Sequence, residues 1–212
     1  MCTGRVDLSH LLRAFLMGAD GLYVGGCRLN ECNYITHGNY HALAMVYLCQ
    51  RIMGKIGLNP ERLRIEFMSS GEGILFAEVM NDFSAKVRGL GPLGKSEGME
   101  AAALKANLEA AARIVPYINL VERERLRVPV QSAEAYERFF TGPEFERLFE
   151  ELIVDKLAVS RMLSLLRESP LSTGEIGRIL RLTPSEVSRH LGSSARQGWI
   201  RYDEGQGRFA LA

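Results

Sequence analysis

The residues best suited to chemistry are cysteines. The chain has four, Cys2, Cys27, Cys32 and Cys49, and three of them fall within the first 32 residues. Cys27 and Cys32 frame the short segment CRLNEC. A C-x4-C loop at a strand end lets two thiolates reach one side of a metal centre. Cys2 can add a third if the strand it follows lies beside the first. Soft thiolate donors suit zinc or iron–sulfur clusters. The spacing alone also fits plain loop cysteines, because three thiols do not complete a four-thiolate set. Cys49 falls on the apolar stripe of a helix, where cysteine behaves as a small hydrophobe. His37 and His41 stand four apart, a ligand spacing on a helix, but Gly38 follows His37 directly and places it in the preceding loop. Tyr34, Thr36, Asn39 and Tyr40 are candidates to shield a metal centre and to donate hydrogen bonds to its sulfurs. No general base, nucleophile triad or phosphate loop is evident. GLYVGG (21–26) departs from G-x-G-x-x-G, and its glycines read as allowing close backbone approach beside the cysteines.

These thiols need a scaffold. Asp7 caps a helix whose stripe is Leu8, Leu11, Leu12, Phe15 and Leu16. Residues 21–27 read as a short buried strand. A second helix over about 39–56 puts Ala42, Met45, Val46, Cys49, Ile52, Met53 and Ile56 on one face. In 62–68, Leu63, Ile65 and Phe67 alternate as in a strand. Ser69 with Glu72 reads as a capping box for a third helix that buries Phe76, Val79, Met80, Phe83 and Val87. Such alternation predicts an α/β domain with a small parallel sheet and flanking helices over residues 1–92. The Gly/Pro-rich segment 89–98 marks a boundary. A helical connector is predicted over 93–154, with a helix over 97–115 ended or kinked by Pro116. Within it, 121–128 reads as a solvated face or extended arm, and a further helix starts at Gly142-Pro143.

Residues 155–212 read as a winged helix-turn-helix domain. One helix runs over about 155–167. Ser172 with Glu175, and Thr183 with Glu186 behind Pro184, form two capping boxes. Two short strands then flank the turn Asp203–Gly207. On the second of the capped helices Val187, Leu191 and Ala195 point inward. Ser185, Ser188, Arg189, Gly192, Ser193 and Arg196 are left outside, with Ser185, Ser188, Arg189 and Arg196 as candidate DNA or partner contacts. This segment holds nine basic and six acidic residues, but Asp203 and Glu204 at the wing tip would repel phosphate.

Bulk properties narrow the classes. The 212 residues are 47% hydrophobic and 24% charged, with a net charge of +1, so no global field draws the chain to nucleic acid or a membrane. No apolar run reaches the roughly 20 residues of a membrane span, and no secretory signal precedes the first helix. The expected location is the cytoplasm, where clustered cysteines serve metal or redox chemistry rather than disulfide frameworks.

The segments MCTGRVD (1–7), GADGLYVGGC (18–27), ECNYITHGNY (31–40), NPERLRIEFMSSGEG (59–73) and FAEVMNDF (76–83), in that order, resemble the delta subunit family of methyl-viologen-reducing hydrogenase. The resemblance covers about residues 1–92, and the later part looks like an extension found in bacterial members. It implies a [2Fe–2S] cluster with Cys2, Cys27 and Cys32 as ligands. It also implies an electron-transfer role between a hydrogenase or formate dehydrogenase and the flavoprotein subunit of heterodisulfide reductase. Family members carry an upstream βαβ segment with a C-x-x-C pair. Two strands are few for three amphipathic helices, so Met1 is expected not to be the natural start, through a split gene or a selenocysteine codon read as a stop. Apolar surface is then expected near residues 20–27. The other readings are a redox-responsive winged-helix transcription regulator and a zinc-stabilised scaffold.

Overall fold

The computed structural model describes residues 2–34 and 38–212, which divide into two compact units, one ending at Leu148 and the other spanning Phe149–Ala212. His37 and Thr36 lie outside the described residues. Among the described residues, no helix is long and apolar enough to cross a membrane.

The first unit is built on a two-stranded parallel sheet, β1 (Leu22–Gly26) and β2 (Leu63–Phe67), with Leu22 opposite Leu63 and Gly26 opposite Phe67. Helix α1 (Leu8–Leu16) starts where expected. The Asp7 carboxylate accepts from Ser9 N–H, and His10 closes the box by accepting from Asp7 N–H. Its stripe, Leu8, Leu11, Leu12 and Phe15, is buried. Helix α2 (Asn39–Lys55) is the core element, with Met45, Val46, Leu48, Cys49, Ile52 and Met53 all buried.

Helix α3 (Gly73–Leu90) departs from the expectation. It begins at Gly73 with Glu72 at the cap, and no side chain caps it. One half of the expected box is present, since the Glu72 carboxylate accepts from Ser69 N–H, and the same carboxylate also pairs with Arg28. Of the expected stripe only Phe83 is buried, because the sheet beneath has two strands and leaves the first turns of α3 uncovered. Ile74, Leu75 and Phe76 are exposed there. The exposed apolar surface therefore lies on α3 and not along 20–27, where Val24 is buried and Leu22 and Tyr23 are half-buried.

The segment read as a connector contributes to this unit. Helices α4 (Ala101–Arg113) and α5 (Val115–Arg125) both pack on α1, and Asn119 donates to Asp7. Pro116 opens α5 rather than ending α4, since proline fits a first turn whose N–H groups lack partners. The charged stretch expected to be a solvated face or arm is mostly helical, with Val121 and Leu126 buried. Not foreseen in the sequence is α6 (Ala133–Thr141), capped by Ser132. With α7 (Pro143–Phe149), α6 adds aromatic packing on α2: the ring pairs Tyr40–Tyr136, Tyr47–Phe140 and Phe140–Phe145 have centroids 4.9, 5.1 and 4.9 Å apart. This apolar contact is why the first unit extends past residue 92.

A buried charge pair fastens the sheet to the loop after α3. Arg62 is fully buried and donates to Asp20 O, Leu90 O, Gly91 O and Pro92 O, to Ser96 Oγ, and to the Glu97 carboxylate at 2.8 Å. Burial opposes the charge on Glu97, but the Arg62 guanidinium and the Asn59 N–H outweigh it and hold its pKa at about 2.

The second unit has the expected winged-helix order. A π-helical turn, Glu150–Val154, leads into α8 (Asp155–Glu168), followed by α9 (Thr173–Leu180), α10 (Pro184–Arg196) and the hairpin β3 (Ile200–Asp203)–β4 (Arg208–Leu211). Both capping boxes are present, and Leu171 pairs with Phe209 beside the hairpin. Met162, Leu166, Ile176, Leu180, Val187, Leu191 and Ile200 form its core. On α10 the inward face is Val187, His190, Leu191 and Ser194, whereas Ala195 is exposed, contrary to expectation. His190 and Ser194 each lie three residues beyond an inward apolar position, so the buried stripe turns one residue earlier than the apolar pattern indicates.

Candidate metal centre

Cys2, Cys27 and Cys32 come together at the carboxyl end of β1 and the amino end of α2. The Cys2 and Cys32 sulfurs are 3.8 Å apart. Cys2 sits before a single 3-10 turn, Thr3–Arg5, and its sulfur accepts from Gly4 N–H at 3.3 Å. The turn is held against the strand by Thr3 Oγ1, which donates to Gly25 O at 2.6 Å. Cys27 follows β1 directly and is exposed. Cys49 is fully buried on α2, apart from the trio, and burial pushes its thiol up to about 12.

The electrostatics of the three thiols differ. The Cys32 thiol is lowered from its ordinary value, chiefly because Tyr34 N–H donates to its sulfur, with a further donor in Asn39 N–H at the first turn of α2. A helix amino end stabilises a thiolate in this way. Burial, then the neighbouring Cys32 and Cys2, raise the Cys27 thiol. Three thiols sharing so small a space repel one another when ionised, which a bound cation would relieve.

Asn39 fixes the loop that carries Cys27. It is 1% exposed, and its amide donates to Cys27 O at 2.9 Å and Arg28 O at 2.8 Å, with Cys27 Sγ at 3.7 Å. Tyr40 donates to Asn30 Oδ1 at 2.8 Å from one residue further on. Gly38 allows the close approach. A Cβ at that position would lie 2.2 Å from Tyr34 O and 2.6 Å from Cys32 Sγ. Arg28 is tied to Glu72, which anchors the loop to the start of α3. Tyr34 is exposed and contributes its backbone rather than its ring.

Among the described residues no group of three or more His, Cys, Asp or Glu side chains is arranged to hold a metal ion. The trio thus converges without closing into a coordination set. His41 points elsewhere, its Nδ1 3.9 Å from Glu122 Oε1, in a cavity of about 900 Å3 also lined by Asp7, Asn119, Arg127 and Tyr136. Burial raises the Glu122 carboxyl. No local pattern points to this cavity, because its walls come from segments as far apart as Asp7 and Tyr136.

On the winged helix, Ser185, Ser188, Arg189 and Arg196 are exposed as expected. Arg189 is not a free cation, however. Its guanidinium makes a two-pronged pair with Asp155, at 2.6 and 2.9 Å. His190, buried beneath, lies 3.8 Å from the same carboxylate, and burial lowers its pKa.

Comparison with known proteins finds matches to two different family models, one in each unit. Residues 1–91 match the family model of the methyl-viologen-reducing hydrogenase delta subunit, and residues 158–192 match that of bacterial regulatory proteins of the arsR family. An F420-non-reducing hydrogenase iron-sulfur subunit of Archaeoglobus profundus is 46% identical over 91 residues, covering 43% of this chain and 66% of that protein. The corresponding vhu iron-sulfur subunit of Methanopyrus kandleri is 36% identical over 92 residues, 43% of this chain and 69% of its own. One component of the ferredoxin/F(420)H(2)-dependent CoB-CoM heterodisulfide reductase of Methanosarcina acetivorans is 39% identical over 102 residues, 48% of this chain but 13% of its own. The match thus spans just under two thirds of the Archaeoglobus protein and a small part of the Methanosarcina one.

Proposed function

The chain belongs to the methyl-viologen-reducing hydrogenase delta subunit family, and from that premise we propose that it is an electron-relay protein whose Cys2, Cys27 and Cys32 are ligands of a [2Fe–2S] cluster. Its partners in this reading are a heterodisulfide reductase flavoprotein on one side and a hydrogenase or formate dehydrogenase on the other. The observation that carries the reading is the Cys2–Cys32 sulfur separation of 3.8 Å. Two thiolates at about 2.3 Å from one tetrahedral ion stand about 3.8 Å apart. The pair therefore has the span of two ligands on one iron, and Cys27 is within electrostatic reach of both. The trio supplies at most three of the four thiolates that such a centre takes, so a fourth donor comes from outside it.

When bound, the cluster supplies one-electron transfer at a potential tuned by its surroundings. The protein's own residues position and tune. Tyr34 N–H and Asn39 N–H stabilise negative charge on Cys32, and Gly4 N–H donates to the Cys2 sulfur. Asn39 holds the Cys27 loop, and the exposure of Cys27 leaves one side of the site open to a redox partner. After anaerobic reconstitution with iron and sulfide, the visible absorbance of the full chain should fall sharply in Cys27→Ser and Cys32→Ser and persist in Cys49→Ala. Wild-type spectra in both serine variants would overturn the ligand assignment.

A second reading, a redox-responsive winged-helix regulator, is favoured by the arsR-family match alone. The Arg189–Asp155 pair weighs against it, since the arginine best placed to read a base edge or phosphate is already neutralised. A gel shift of genomic DNA fragments with a steep salt dependence would favour the regulator.

A further inference from the structure

Two of the converging thiols are close enough for chemistry with each other. Cys2 and Cys32 are thirty residues apart in sequence, and each is partly buried. Their sulfurs touch at 3.8 Å, whereas a disulfide needs about 2.05 Å. Closing that gap takes a movement of about 1 Å by each sulfur, within reach of small side-chain rotations without strand movement. Cys27 is held differently, because Asn39 clamps its carbonyl and that of Arg28. Cys49 is sealed inside α2.

We propose that Cys2 and Cys32 form a reversible disulfide when the site holds no metal, with a low-molecular-weight disulfide as oxidant. The Cys32 thiolate attacks one sulfur of the small disulfide. A new sulfur–sulfur bond forms, and one small thiolate leaves and takes up a proton. Cys2, having given its proton to solvent, then attacks the Cys32 sulfur of this mixed disulfide and expels the second small thiolate. The protein dithiol loses two electrons and two protons, and the small disulfide becomes two thiols. Excess small thiol runs the sequence backward. The bridge keeps the pair from over-oxidation while the site is empty, and its reduction readies the pair for metal. None of this rests on the iron–sulfur reading, since it concerns the metal-free thiols of the chain.

The test uses the full chain, reduced and treated with a chelator, then exposed to oxidised glutathione, quenched with N-ethylmaleimide in denaturant and mapped by mass spectrometry. The number of labelled cysteines should drop from the four of the sequence to two, Cys27 and Cys49. Dithiothreitol should restore all four, and Cys27→Ser should still bridge Cys2 to Cys32. Cys2→Ser should stop at a glutathione adduct on Cys32. Four labelled cysteines after oxidation, a bridge through Cys27, or glutathione adducts that persist on the unsubstituted chain would each overturn the proposal. Failure of the reduced chain to take up iron, with the bridge still forming on oxidation, would count against the cluster reading alone.

Discussion

Replacing Glu97 by glutamine should uncouple the sheet from the loop behind α3. The Glu97 side chain is 5% exposed and that of Arg62 is not exposed at all, so solvent screens the pair little. Glutamine keeps a carbonyl acceptor for Arg62 but leaves a buried guanidinium without its counter-charge. The carboxyl is lowered from 4.5 to about 2 in the folded state. At about 1.4 kcal/mol per unit, that depression corresponds to roughly 3 kcal/mol of stability. A carboxyl with a depressed folded pKa contributes fully above its unfolded value. Its contribution is lost as pH falls through the folded one, here between about 4.5 and 2. The stability gap between wild type and Glu97→Gln should therefore be about 3 kcal/mol at pH 7 and should shrink steadily below pH 4.5. Urea titrations followed by near-ultraviolet tyrosine dichroism suit the first unit, which carries six of the seven tyrosines, while the single tryptophan, Trp199, reports the second. A gap under about 1 kcal/mol at pH 7, typical of exposed pairs, or one unchanged between pH 7 and pH 3, would refute the reasoning.

Other consequences are as direct. Asn39→Ala should release the Cys27 loop, raise the rate at which Cys27 is alkylated, and shift the midpoint potential of a reconstituted chain. An unaltered rate and potential would remove Asn39 from the positioning role. Leu191→Asp should unfold the second unit, because it buries an unpaired carboxylate in the core around Val187 and Ile176. A Trp199 emission transition at the wild-type melting temperature in that variant would contradict the placement. Cys49, held near 12 by burial, should resist alkylation at pH 8 in the native chain and react once urea unfolds it. Labelling as fast as Cys27 would contradict its burial.

Local chemistry made much of this molecule readable in advance. The two capping boxes at Ser172 and Thr183 pointed to the winged helix, because those hydrogen bonds are encoded within four residues. The alternation of Leu63, Ile65 and Phe67 marked β2, and the stripe from Leu8 to Phe15 marked α1. Features set by distant neighbours were hidden. Ser69 and Glu72 match a capping box, and the Glu72 carboxylate does accept from Ser69 N–H, but the helix starts only at Gly73 and the same carboxylate also pairs with Arg28, forty-four residues away. Phe76 lies on an apolar stripe, yet nothing in a local pattern says that the sheet beneath is too narrow to cover it. Arg189 stands on the outer face of its helix as a candidate contact, but its pairing with Asp155, thirty-four residues away, is set by tertiary packing that no local pattern encodes. The cysteine trio was legible by type. That Cys2 meets Cys32 more closely than spacing suggests depends on the Thr3 contact with β1.

The central claim is that these thiols hold an iron–sulfur cluster for one-electron transfer. Its most direct test is electron paramagnetic resonance of the anaerobically reconstituted full chain before and after dithionite, alongside iron and acid-labile sulfide per chain. The account predicts equal iron and sulfide, a silent oxidised form, and a reduced spin-one-half signal that Cys32→Ser abolishes. A colourless chain that takes up zinc in place of iron, or a signal that survives Cys32→Ser unchanged, would contradict it.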